Sequence, residues 1–175
     1  MRLFVAAELP VEMLEALAET SALLRECVRG RYVGADSFHV TLAFLGEVES
    51  RRIDDASCAI EQACLGLRAT EAELGELGSF GRRSAATLWQ GFSDPGVLPE
   101  AARNVRDELK ACGFSFDTKK FLPHITLMRA AKLNEGVLPS PHLAAGFIDC
   151  ITLFRSDLSG PRPIYEPLFT KHLPR

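Results

Sequence analysis

Two short strings carry an imidazole and a hydroxyl at the same spacing: Phe38-His39-Val40-Thr41-Leu42 and Pro123-His124-Ile125-Thr126-Leu127. With ordinary residue usage a given window matches His-apolar-Thr-Leu about once in ten thousand, so two matches in one modest chain are improbable by chance. Alternate side chains of a β-strand share a face, which puts His39 beside Thr41 and His124 beside Thr126. A neutral imidazole takes a proton and a charged one gives it, and an ordinary pKa near ~6.5 keeps both forms available around pH 7. Two such groups on opposite sides of a phosphorus atom can divide an in-line displacement, one activating water and the other protonating the departing oxygen, with no metal required. The threonine hydroxyls can donate to the non-bridging oxygens, where charge grows in the transition state. Arg129 follows Thr126 by three residues, out of strand phase, so a phosphate role for it requires a twist or bulge at the strand end.

The elements that must position these groups also repeat. Sliding the chain on itself by 85 residues, the spacing of His39 and His124, sets Leu3 on Leu88, Pro10 on Pro95, Ala16 on Ala101, Leu24 on Leu109 and Cys27 on Cys112. Both copies read as strand, proline-started helix and histidine-bearing strand. Two copies make a duplication, not a solenoid array. A pseudo-two-fold relating them predicts one central cleft lined by both tetrapeptides.

Along the chain, the apolar run Arg2 to Leu9 reads as a central strand. Pro10 opens a helix whose stripe is Leu14, Leu17, Leu24 and Val28, with Gly30 as its stop and Tyr32-Val33 as a short strand. His39 to Leu45 is the first histidine strand, and a helix from about Ser50 to Leu65 turns Ile53, Ala56, Ile60 and Cys64 inward. Thr70 to Leu77 and Ala86 to Phe92 are strands around a loop, 78–83. Leu98 to Cys112 is a helix with Leu98, Ala102, Val105, Leu109 and Cys112 on one stripe, and Phe121 to Met128 is the second histidine strand. The duplication fades in the Gly/Pro-rich stretch 134–141, and Phe147 to Phe154 and Ile164 to Lys171 close the fold. Short connections favour antiparallel pairing, so the expected class is α+β: a single domain over residues 1–175, made of two similar lobes with sheets facing each other and helices outside.

Composition narrows the function. With 47% apolar and 25% charged residues the chain reads as globular, and no apolar run reaches the roughly 18 residues of a membrane span, so a cytoplasmic location is expected. The formal charge of −3 argues against wrapping long nucleic acid but permits a small phosphate site. Five cysteines without a Cys-x-x-Cys pair fit reduced, buried thiols. A metal site is disfavoured because no carboxylate repeats with the histidines.

The paired motifs, the opening Met1-Arg2-Leu3-Phe4-Val5-Ala6, the string 38–48 and Thr87-Leu88-Trp89 resemble the two-histidine (2H) phosphoesterases, most of all the bacterial and archaeal RNA 2',3'-cyclic phosphodiesterases, also called 2'-5' RNA ligases. The resemblance covers nearly the whole chain. It implies a bilobal α+β fold and metal-independent hydrolysis of 2',3'-cyclic phosphate ends of RNA to 2'-phosphates. It further implies His39 as proton donor, His124 as acceptor, and Thr41, Thr126 and Arg129 on the phosphate. Tyr32 stands where the family often has tryptophan. The chain is expected to act on RNA ends or oligonucleotides as a monomer, without a cofactor or a membrane.

Other readings keep the same residues. A 2'-5' linkage or a cyclic nucleotide could replace the RNA end, ligation would use the same groups in reverse, and a non-catalytic RNA-binding module would need no titrating pair. Among the remaining residues, Lys119-Lys120 and Arg82-Arg83 read first as solvated faces and second as RNA contacts. Phe44, Phe80 and Phe121 read first as core, with Phe80 the best placed to stack on a base. His142 and His172 stand outside any repeated context.

Overall fold

The computed structural model describes residues 1–133 and 137–175, leaving part of the Gly/Pro-rich stretch outside the described residues. Nine strands and three helices follow in the order β1 (Arg2–Ala7), α1 (Val11–Cys27), β2 (Arg29–Tyr32), β3 (Val40–Glu47), α2 (Ile53–Ala63), β4 (Thr70–Phe80), β5 (Ala86–Asp94), α3 (Leu98–Ala111), β6 (Ile125–Lys132), β7 (Ala145–Ile148), β8 (Cys150–Asp157) and β9 (Ile164–His172) among the described residues. The strands form two sheets, β3-β1-β8-β9 and β2-β6-β5-β4-β7, paired antiparallel throughout. The expected α+β class with antiparallel sheets is the observed one.

β1 is central because five of its six residues are apolar and buried, which suits a strand with neighbours on both edges. In α1 the buried side chains are Met13, Ala16, Leu17, Thr20, Ser21 and Leu24, at helical spacing along one face. α3 buries Leu98, Ala102, Val105 and Leu109 as expected, whereas Cys112, one residue past its end, is exposed. The expectation of buried thiols holds for Cys64 alone: Cys27, Cys58 and Cys112 are exposed, because the helix stripes end before these positions or turn them outward, and Cys150, the first residue of β8, is intermediate.

The histidine strands are anchored from behind. Val40, Leu42, Ile125 and Leu127 are fully buried, and each such side chain contributes about 1.5–3 kcal/mol by leaving water. A one-residue slip would turn these into the cleft and drive the imidazoles into the core, so the core fixes which way His39 and His124 face. The regular strands begin at Val40 and Ile125, after the expected starts at His39 and Phe121, so each imidazole stands on the residue entering its strand.

Gly30 does not stop α1, which ends at Cys27; it lies inside β2. A Cβ there would come within 2.6 Å of the Met128 sulfur and 3.0 Å of the Ala131 Cα, so only glycine lets β2 approach β6 this closely. The stretch Phe147 to Phe154 is also two strands. β7 pairs with β4 in one sheet, β8 pairs with β1 in the other, and Asp149 is the crossing point.

Candidate active site

All five residues singled out by type and spacing, His39, His124, Thr41, Thr126 and Arg129, line one cleft of about 200 Å³ between the sheets. His39 Nδ1 lies 2.8 Å from the Ser37 carbonyl oxygen and His124 Nδ1 lies 2.7 Å from that of Leu122. A carbonyl only accepts, so in both rings Nδ1 carries the hydrogen and the neutral tautomer leaves Nε2 with a free lone pair. Ser37 and Leu122 are themselves 85 residues apart, so the support of each imidazole repeats along with the imidazole. His39 Nε2 sits 3.0 Å from Thr41 Oγ1, as strand alternation requires.

Each ring is also held by an aromatic pair. His39 packs on Phe4 at 5.0 Å and edge-on to Tyr165 at 5.3 Å. His124 packs edge-on to Phe80 at 5.1 Å and against Trp89 at 5.8 Å. Phe4 and Trp89 are 85 residues apart, and so are Phe80 and Tyr165. Motif spacing alone does not point to Trp89 or Tyr165 in this role; the 85-residue shift finds Trp89 as the counterpart of Phe4 and, carried past the second motif, Tyr165 as that of Phe80. Phe80 belongs to the end of β4, not to a loop. The room for the indole comes from Gly78, where a Cβ would crowd Trp89 Cζ3 at 2.7 Å.

His39 is driven well below its usual range, from 6.5 to about 4, mainly because burial disfavours the charged ring, with Arg129 and His124 adding like charge. The Ser37 carbonyl pulls the other way and is outweighed.

Arg129 reaches the cleft through the irregularity that its spacing demanded. Across β5, Trp89 faces Thr126 and Leu88 faces Met128, so one extra residue is accommodated in β6. Leu127 and Met128 are consecutively buried as a result, and Arg129 returns to the face of Thr126. A second irregularity follows at Ala130, whose φ of 51° is the one positive value on a non-glycine residue among those described. β3 carries a matching shift between its pairings to Val5 and Ala6, with Leu42 and Ala43 both buried. There Phe44 stands in Arg129's place and is covered by the Arg2 guanidinium at 4.7 Å. The strand register of the two sheets differs by two residues, since Thr41 faces Ala6 while Thr126 faces Trp89. A two-residue slip preserves the faces and so leaves the chemistry in place.

Other groups named from sequence lie elsewhere. Phe121 lies under the Arg106 guanidinium at 5.5 Å, Lys119 pairs with Asp117 at 3.3 Å, and Arg82, Arg83 and Lys120 do not line the cleft. His142 pairs with Glu19 at 3.0 Å, and His172 Nδ1 contacts Cys150 Sγ at 3.1 Å. Tyr32 lines the cleft, but its hydroxyl donates to the Val28 carbonyl at 2.7 Å and Arg25 covers its ring at 4.2 Å. Arg31 and Arg162 line the cleft as well, without any signal in motif or spacing.

A sequence profile described as the 2'-5' RNA ligase superfamily matches residues 4–137. An Escherichia coli K12 protein named RNA 2',3'-cyclic phosphodiesterase is 30% identical over 171 residues, covering 95% of this chain and 93% of that one. A Geobacillus stearothermophilus protein of the same name is 32% identical over 173 residues, or 94% of this chain; the chain spans 55% of that relative's length. Among solved structures, a Thermus thermophilus protein superposes with a TM-score of 0.83 at 28% identity, covering 99% of this chain and 98% of that one. Escherichia coli LigT complexed with 3'-AMP does so with a TM-score of 0.79 at 28% identity and the same coverage. Fold and sequence together place the chain among the two-histidine phosphoesterases. Within that class it belongs to the 2'-5' RNA ligase superfamily.

Proposed function

We propose that the protein hydrolyses RNA 2',3'-cyclic phosphate ends to 2'-phosphates, with His39 and His124 as the acid and base and no metal or other cofactor. The observation that carries this reading is the pair of Nε2 atoms, each fixed by an Nδ1–H bond to the carbonyl two residues upstream, presented to one cleft. The names of the relatives, RNA 2',3'-cyclic phosphodiesterase, support the same activity.

Water approaches phosphorus opposite the 3'-oxygen, and His124 Nε2 takes its proton as the new P–O bond forms. The P–O3' bond breaks and His39 Nε2–H protonates the departing 3'-oxygen, which leaves a 2'-phosphate monoester. Thr41, Thr126 and Arg129 donate to the non-bridging oxygens as charge accumulates there. Arg129 has no ion pair among the described residues, so its charge is available to the phosphate.

In the free protein the His39 ring is uncharged at pH 7, with its one hydrogen on Nδ1, because its pKa is about 4. A phosphodiester anion beside Arg129 offsets that like charge and offers an acceptor, which shifts His39 toward the protonated form that donation requires. Each charge-handling group in this scheme is a side chain of the protein, and no group of three or more His, Cys, Asp or Glu gathers among the described residues as a ligand set. One chain supplies all five groups, in keeping with a monomer. No helix among the described residues is long and apolar enough to cross a membrane.

The test is a short RNA ending in a 2',3'-cyclic phosphate, incubated with the purified protein and excess chelator. The expected product is the 2'-phosphate at an unchanged rate. A 3'-phosphate product, or a rate abolished by chelator and restored by a divalent cation, would contradict the scheme.

A further inference from the structure

The cleft carries more positive charge than one cyclic phosphate requires. The chain has a formal charge of −3, yet Arg31, Arg129 and Arg162 all line the cleft, against Asp36 as the acidic lining residue. None of the three arginines has an ion pair among the described residues, and Asp36 Oδ1 instead accepts from the Ser37 hydroxyl at 3.2 Å. A 2',3'-cyclic phosphodiester has a single negative charge, and Arg129 suffices to meet it.

The placement of Arg31 is costly without an anion. Arg31 and Arg129 are direct partners across β2 and β6, so two like charges stand opposite each other, an arrangement that disfavours strand pairing. Gly30 enforces it, since β2 comes this close to β6 only where it has no Cβ. Arg162 enters from the other sheet, on the turn between β8 and β9, where Pro161 and Pro163 each fix a backbone φ. The two outer arginines therefore flank the cleft from opposite walls.

Arg129 is the arginine on the strand of the second histidine motif, whereas Arg31 and Arg162 lie outside both histidine strands, on β2 and on the turn between β8 and β9. They share the cleft with the reacting groups but belong to neither histidine motif. A guanidinium with no protein partner suits phosphate, whose oxygens accept two parallel N–H bonds.

We propose that Arg31 and Arg162 hold the internucleotide phosphate immediately 5' of the reacting group, so that the cleft selects RNA oligonucleotide ends over cyclic mononucleotides. This rests on the hydrolase reading above and adds a second phosphate position to it. The reacting phosphate stays with Arg129 and the threonines. The arginines outside it contribute only when a second charge is present.

The test compares kcat/KM for three substrates: adenosine 2',3'-cyclic phosphate, a diadenylate ending in the cyclic phosphate, and the same diadenylate with a neutral methylphosphonate linkage. The wild-type protein is expected to prefer the charged dinucleotide over the mononucleotide by about tenfold or more, and the neutral linkage to remove most of that preference. R31Q and R162Q should each lower kcat/KM on the charged dinucleotide several-fold and have much less effect on the methylphosphonate. R31K, which keeps the charge, should restore part of the loss. Turnover of all three substrates at similar kcat/KM overturns the inference and leaves the hydrolase reading standing. Equal loss on all three in R31Q and R162Q also overturns it, because those arginines would then act on the reacting phosphate or on the fold. No turnover of any of the three contradicts the hydrolase reading itself, and the inference with it.

Discussion

His39 is an imidazole that the fold keeps uncharged in the free protein, and two measurable consequences follow from its pKa of about 4. In kcat/KM, which reports the free enzyme, the His39 titration falls near pH 4, and R129Q moves it upward by removing a like charge. A pH profile whose acidic limb is unchanged in R129Q would contradict that account. The second consequence concerns stability. In the unfolded chain His39 titrates at its ordinary 6.5, so between pH 6.5 and about 4 the unfolded state binds more protons than the folded one. Stability therefore falls as pH falls through that window. Urea midpoints of the wild type should drop more steeply there than those of H39Q, and equal slopes would mean that His39 is not held neutral by the fold. At this scale the sequence is most legible: a side chain's chemistry and its local spacing are both written in consecutive residues. The aromatic supports are harder to read, because Phe4 and Tyr165 reach His39 from strands far away in the chain.

At the scale of the element, the β6 irregularity decides whether Arg129 faces the cleft. Its need is readable from a three-residue spacing that strand alternation cannot satisfy, whereas its form depends on pairing with β5 and β2. Ala130, exposed and at φ 51°, marks the irregularity. Replacing it with a β-branched residue should cost about 1–2 kcal/mol of stability and lower kcat/KM by turning Arg129 away, while A130G should be tolerated. Equal stability and activity for A130V and A130G would show that the left-handed residue does not set the geometry. Gly78 gives a second element-scale expectation. G78A places a methyl group into the ring of Trp89, the single tryptophan of the chain, so both the emission spectrum and turnover should change together. An altered spectrum with normal turnover would separate Trp89 from the support of His124. Helix faces are legible from their 3.6-residue pattern. The role of Gly30 is not, because a glycine that stops a helix and one that admits a neighbouring strand look the same in sequence.

At the scale of the whole molecule, the two sheets are tied into one buried core that includes Leu3, Val5 and Leu153 from one sheet and Leu88, Ile125 and Leu127 from the other. Arg106 of α3 adds a polar tie, donating to the Leu42 carbonyl in β3 at 2.8 Å and to the Lys119 carbonyl on the approach to His124 at 2.9 Å. We therefore expect the 175 residues to behave as a single domain, with tryptophan emission and far-UV circular dichroism losing structure in one coincident transition. Two separated transitions would instead assign the lobes independent cores. The crossing at Asp149 escapes a sequence reading because Phe147 to Phe154 is an almost unbroken strand-like run, and which sheet a strand joins is decided by partners elsewhere. The 85-residue repeat, by contrast, foretells the shared cleft, since it records both of its walls.

The most direct measurement is the turnover of a cyclic-phosphate-ended RNA by H39A, H124A and the double variant. As a positioned acid and base, each histidine should be worth roughly 100-fold or more. Because the two act in one step, the double variant should lose far less than the product of the single losses. Near wild-type turnover in either single variant would contradict the two-histidine account.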